Sequence, residues 1–92
     1  MTKVKLQFFS DGGHGWLRVP VTMLKEFSIV KDITVYSYLR GRFAYLEEDC
    51  DANTFLNAAK HRNIEVAINY RESHNPSQIR RYPCYNPARV AV

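Results

Sequence analysis

Apolar and polar residues alternate from Lys3 to Phe9, with Val4, Leu6 and Phe8 on one side and Lys5 and Gln7 on the other. A period of two marks a half-buried strand. Ser10-Asp11-Gly12-Gly13-His14-Gly15 follows as a turn whose glycines are free to take positive φ. Trp16 to Val19 reads as the returning strand, with Leu17 and Val19 on one face and Trp16 and Arg18 on the other. The chain therefore predicts an opening β-hairpin. Pro20 stops the second strand, and Val21 to Phe27 reads as a short helix with Thr22 as its N-cap and Leu24 and Phe27 turned inward.

A second hairpin is expected next. Ile33 to Leu39 is rich in β-branched and aromatic residues, with Ile33, Val35, Ser37 and Leu39 facing one way. Arg40-Gly41-Arg42 makes a tight turn and Phe43 to Glu47 returns. Asp49 or Asp51 then caps a helix from Ala52 to Arg62, whose apolar stripe is Phe55, Leu56, Ala58 and Ala59. Asn63 suits a left-handed helix end. Ile64 to Arg71 is the last regular strand, with Ile64, Val66, Ile68 and Tyr70 on one face. Ser73 to Ser77 is turn-like, and Ser77 or Asn75 is placed to cap one helical turn through Arg81. Two prolines, Pro83 and Pro87, keep the remainder out of any long regular element.

The order ββαββαβ predicts an α+β fold: an antiparallel or mixed sheet of about five strands, two helices on one face, and an irregular basic C-terminal tail. The 92 residues suffice for one domain, with 1–72 as its core and 73–92 as an Arg/Tyr/Pro-rich segment.

Charge changes this picture by dividing the chain. Residues 1–43 hold seven Lys/Arg and three Asp/Glu, residues 44–70 two and five, and residues 71–92 four and one. The net +4 is thus laid out as basic, acidic, basic, which suits a partner with both phosphate and protein character. The composition, 46% hydrophobic and 24% charged, excludes disorder. Cys50 and Cys84 are the only cysteines and have no metal-site spacing. No secretory signal and no membrane-spanning run is recognisable, so the cytoplasm is the expected location.

Candidate chemistry gathers in three places. The run Glu47-Glu48-Asp49-Cys50-Asp51 holds four of the nine acidic residues. It reads either as helix capping or as a metal or catalytic site, and the missing ligand pattern favours capping. Arg40 and Arg42 flank a turn, where paired guanidiniums suit phosphate or carboxylate recognition and equally keep an exposed tip soluble. Arg80, Arg81, Arg89, Tyr82 and Tyr85 interleave arginine with tyrosine in the C-terminal segment, a composition of nucleic-acid and protein interfaces. The alternative is a tail that drapes over the sheet and buries Ile79 and the tyrosines. The Gly-rich turn lacks the phosphate-loop spacing, and His14 beside Trp16 reads first as packing against an aromatic ring. Adjacent Glu47 and Glu48 on a strand point to opposite faces and cannot easily share a metal. No cofactor, metal or catalytic residue is expected.

Four segments carry a resemblance: Gly13-His14-Gly15-Trp16-Leu17-Arg18-Val19-Pro20, Tyr36-Ser37-Tyr38, Tyr45 through Ala52, and Ser77-Gln78-Ile79-Arg80. Together they look like a family of small proteins carried by phages and mobile elements. With the chain's length and basic charge they resemble anti-CRISPR proteins directed at type I-F systems. The resemblance implies a stoichiometric inhibitor in the bacterial cytoplasm. Its partners would be Cas subunits of a crRNA-guided complex together with guide-RNA phosphates, with no membrane and no small-molecule substrate. It implies that the acidic patch near Glu47–Asp51, which includes Glu47 and Glu48, mimics phosphate, while Arg40, Arg42, Arg71, Arg80 and Arg81 meet phosphates or carboxylates. The alternatives are an autonomous phage nucleic-acid-binding module and a small metal-dependent enzyme.

Overall fold

The alternation of the first residues is realised as β1 (Thr2–Ser10), which has a neighbour on each side. β2 (Gly15–Pro20) pairs with it antiparallel, from Gln7↔Arg18 to Ser10↔Gly15. β5 (Ile64–Glu72) pairs with it parallel, from Thr2↔Ile64 to Ser10↔Glu72. Beyond β2 lie β4 (Phe43–Glu47) and then β3 (Tyr38–Arg40), both antiparallel to their neighbours. The strand order is β3-β4-β2-β1-β5, a mixed sheet in an α+β fold. The structure is a computed structural model and describes residues 2–73 and 77–90.

One face of the sheet carries the main core. Leu6, Leu17, Val19, Leu39, Ala44 and Leu46 project there and meet α1 (Val21–Glu26) and α2 (Asp51–His61). The apolar stripe of α2 is seated as its spacing requires: Phe55, Ala58 and Ala59 are buried, while Asn53, Asn57 and Lys60 are exposed. Phe55 stacks on Phe27 with centroids 5.3 Å apart and ring planes at 22°. Burial of such a ring stabilises by roughly 1.5–3 kcal/mol. Asn63 takes φ 56°, the left-handed turn that releases the chain from α2 into β5.

Three local expectations are corrected. Strand β3 begins at Tyr38, not Ile33. Residues 33–37 form a loop instead, because the buried Asp51 carboxylate accepts from the Thr34 N–H (3.1 Å), the Thr34 hydroxyl (2.7 Å) and the Ser37 hydroxyl. A side-chain anchor here overrides β propensity, leaving Val35 and Tyr36 exposed. The second correction concerns caps. Cys50 is the N-cap of α2 and makes no side-chain cap bond, so neither Asp49 nor Asp51 caps. The Cys50 N–H is taken by Glu47 Oε1 at 2.9 Å. Third, Pro20, not Thr22, is the N-cap of α1.

The tail is a strap. Ser77 accepts from the Ile79 N–H (3.2 Å) and starts one 3₁₀ turn, Gln78–Arg81, lying on the face opposite the helices. Ile79 is buried there with Trp16 and Tyr45. The chain then runs along the β3 edge, where Leu39 N–H donates to Pro83 O (2.9 Å) and Tyr85 N–H to Ser37 O (2.8 Å). Tyr85 enters the main core, and a single helical turn, α3 (Pro87–Val90), adds Val90 to it. The strap covers an edge that would otherwise offer unpaired backbone groups. Asn75 and the rest of 74–76, expected as a turn, lie outside the described residues. Among the described residues no helix is long and apolar enough to cross a membrane.

Candidate nucleic-acid interface

The period of two sends Phe9, Trp16, Arg18, Tyr38, Arg40, Phe43 and Tyr45 to the strap-bearing face. Two arginines there rest on aromatic rings. Arg18 lies between Phe9 and Phe43, its guanidinium carbon 5.4 and 4.8 Å from their centroids. Arg40 lies 4.9 Å over Tyr82, which in turn packs on Tyr45 at 5.2 Å. A guanidinium held flat on a ring keeps its N–H edges available for an anion while losing little side-chain freedom. Desolvation raises the Tyr45 hydroxyl above the ordinary tyrosine value, opposed by its contact with Arg18.

Arg40 also borders a groove of about 470 Å³ between α1, the β3–β4 turn and α3. Lys25, Arg40, Arg42 and Arg89 ring it, Leu39 and Val90 contribute apolar surface, and among the described residues no acidic side chain lines it. The turn is fixed at both ends. Gly41 takes φ 59°, open to glycine at little cost, and Val21 N–H donates to Arg42 O at 2.9 Å. Four cationic side chains around one groove form an anion-attracting concavity.

A smaller cleft of about 200 Å³ opens on the same sheet face as Arg18 and Arg40, lined by His14, Trp16, Tyr36, Tyr38, Glu47 and Arg80. Trp16 is its floor. Tyr38 meets that ring edge-on at 6.3 Å, His14 lies 6.3 Å from it, and the Arg80 guanidinium sits 5.4 Å above it. Asp11 holds Arg80 through Nε (2.7 Å) and Nη2 (2.9 Å) and also accepts from the N–H groups of Gly13, His14 and Ser77. These bonds, the Arg80 contact foremost, keep the Asp11 carboxyl well below the usual carboxylate range. Gly15, the β2 residue before Trp16, has its Cβ direction on the other sheet face, where any Cβ would overlap the Phe8 ring.

The sequence candidates thus separate. Arg40 and Arg42 reach the groove. Arg80 and Glu47 reach the cleft. Tyr82 is half-buried beneath Arg40, and Arg81 is exposed. Arg71 lies at the far edge of the sheet and donates from Nε to Gln7 at 2.8 Å. Tyr85 is a correction: it is 1% exposed, its hydroxyl donates to Val30 O, and it offers no contact surface. Glu48 is exposed, but the acidic run does not act as one patch, since Asp51 is fully buried and Glu47 is tied to Cys50. Sequence reasoning did not single out Asp11, Lys25 or Arg18 as site residues. Arg18 carried a signal, sharing a strand face with Trp16; Lys25 and Asp11 carried none, because their roles depend on contacts with distant segments.

No family model, curated protein or solved structure matches this chain. Among the described residues no group of three or more His, Cys, Asp or Glu side chains is placed to hold a metal ion.

Proposed function

We propose that this protein is a binding protein that grips the phosphate backbone of a nucleic acid along the path from the Arg42 groove to the ring-stacked arginines Arg40 and Arg18. The observation that carries the reading is the groove itself, where the guanidiniums of Arg40, Arg42 and Arg89 converge beside Lys25. Aromatic rings beside cationic side chains are what a single strand uses, bases on rings and phosphates on guanidiniums. Fluorescence anisotropy with short labelled RNA and DNA tests it. Binding should weaken steeply with salt, because phosphate contacts release counterions. Absence of binding to single-stranded RNA and DNA at low salt would overturn it.

A second reading keeps the same surface and changes its target. An inhibitor of a type I-F crRNA-guided complex, as the resemblance implies, would place the groove on guide-RNA phosphates. The exposed Glu48 and Asp49 would then face basic protein residues. It predicts a fixed stoichiometry and loss of target-DNA binding by the complex. Unchanged target-DNA binding in the presence of saturating protein would remove it.

A further inference from the structure

We propose that the cleft between Trp16, Tyr36, Tyr38, Glu47 and Arg80 is a pocket for a guanine base. The inference deepens the nucleic-acid reading of the same sheet face and rests on that reading only for the source of the base.

Size sets the class of ligand. A cleft of about 200 Å³ lies below the ~300–1,000 Å³ typical of sites for drug-sized molecules, so it suits one flat ring system. Its walls suit such a ring. Tyr36 is 74% exposed at the mouth, held there by the 34–37 loop that Asp51 anchors, and Tyr38 is half-buried beside it. A tyrosine that exposed contributes little to packing, and since Trp16 is buried beneath Arg80 the ring free to stack at the mouth is that of Tyr36. A base stacked on such a ring gains affinity whatever its identity.

The polar groups decide which ring. Arg80 carries five N–H groups, and Asp11 takes one on Nε and one on Nη2. The outer edge, Nη1 with the second Nη2 proton, keeps the forked geometry that pairs with two adjacent acceptors. Guanine presents such a pair at O6 and N7. Glu47 gives Oε1 to the Cys50 N–H and retains Oε2 for a ligand. An ionised carboxylate only accepts, and the N1–H and N2–H₂ edge of guanine only donates. Adenine places an unprotonated N1 on the corresponding edge, cytosine an unprotonated N3, and uracil two carbonyls around one N–H. Guanine alone matches the guanidinium on one edge and the carboxylate on the other. Asp11 makes the arrangement rigid, since it fixes Arg80 before any ligand arrives.

The residues that build the cleft come from four separate stretches: the β1–β2 turn and β2 (His14, Trp16), the 34–38 segment (Tyr36, Tyr38), the end of β4 (Glu47) and the strap (Arg80).

Trp16 is the chain's single tryptophan and the floor of the cleft, so its fluorescence reports occupancy. The full chain is titrated with GMP, AMP, CMP and UMP, and then with a uridine tract with and without one central guanosine. GMP should change the emission saturably, with the other three weaker by about ten-fold or more, the size of a bidentate base contact. Glu47→Gln keeps an oxygen for the Cys50 N–H but turns a donor toward N1–H, and it should cost about ten-fold in GMP affinity. Tyr36→Ala removes an exposed ring and should weaken GMP while leaving the melting temperature unchanged. Equal responses to GMP and AMP would overturn the proposal. So would a silent GMP titration with equal affinity for both tracts, although the backbone reading would then stand. GMP binding with no binding of either tract would support the pocket for a free guanine nucleotide and remove the backbone reading.

Discussion

The Ser37 hydroxyl donates to the buried Asp51 carboxylate and accepts the backbone N–H of Glu47 at 2.9 Å. One hydroxyl thereby ties the start of α2, the loop before β3 and the end of β4 into a single junction. Asp51 receives further bonds from Thr34, and both Ser37 and Asp51 are fully buried. A carboxylate that is satisfied this completely acts as an anchor. Asp51→Asn presents an amide to donors and should destabilise by about 2–3 kcal/mol, the range for losing charge-assisted bonds in a buried setting. Ser37→Ala should cost about 1–2 kcal/mol, because the Glu47 N–H loses its acceptor. Asp49 is exposed, and Asp49→Asn should stay within about 0.5 kcal/mol. Urea denaturation of the three variants checks the ranking.

The same junction explains how far the fold was legible. Strands β1, β2, β4 and β5 and helix α2 follow from periodicity, because each buries a face that its own spacing marks out. Asn63 and the Ser77 cap follow from local backbone chemistry. What was not legible is where a distant side chain intervenes. Ile33 to Ser37 has the composition of a strand, but Asp51, many residues later, takes the donors that a ladder would use. Tyr85 has the composition of an interface residue, but Pro83 and Ser37 thread the strap so that its ring ends in the core. For the candidate site, Arg40 and Arg42 were legible as a turn pair, while Lys25 and Arg89 join them only through the tertiary fold.

Asp11 makes acid stability a measurable feature. Its carboxyl is held below its unfolded value, near 3.9, chiefly by Arg80. A group whose pKa falls on folding stabilises above the unfolded pKa and loses that contribution as pH drops toward the folded one. The stabilisation should therefore be complete above about pH 5 and shrink steadily from about pH 4 toward pH 2. Asp11→Asn should melt several degrees below the parent at pH 6, and the gap should narrow toward pH 2. A gap of constant size across that range would show that the ion pair is not its source.

Tyr85 gives the corresponding alkaline limit. Desolvation, reinforced by Asp51 and Asp32, pushes its hydroxyl up to about 12. The neutral form is the one the fold holds, so this contribution is complete below the unfolded value near 10 and is lost as pH rises through about 12. Tyr85→Phe keeps the buried ring and gives up the bond to Val30 O. It should cost about 1 kcal/mol near neutral pH, and the fall in stability between about pH 10 and 12 should become shallower. Denaturant midpoints measured across that range for both proteins decide it.

Gly15→Ala tests the close contact behind the cleft. A Cβ at this position would overlap the Phe8 ring and approach the Glu48 carboxylate to 3.1 Å. Either β1 and β2 shift apart at the hairpin end, or Phe8 leaves its place against the core. Both outcomes destabilise, by about 1–3 kcal/mol as for other overpacked sites. The Trp16 emission should change with it, since the two residues are neighbours on β2.

Arg42→Ala separates a local phosphate site from diffuse positive charge. Arg42 borders the groove beside Arg40 and Arg89. Arg71 stands four strands away from β3, about 20 Å across the sheet, bound to Gln7. The two substitutions remove the same charge. If net charge alone drew nucleic acid, they would weaken binding equally and lower the salt slope equally. A groove that contacts phosphate directly predicts asymmetry: Arg42→Ala should reduce the slope of log affinity against log salt by about one contact, and Arg71→Ala should leave it unchanged. Arg40→Ala should cost more than Arg42→Ala, because it removes both a groove cation and the partner of the Tyr82 ring. Anisotropy titrations of the three variants at several salt concentrations measure all these slopes, and equal slopes for Arg42→Ala and Arg71→Ala would move the binding surface away from the groove.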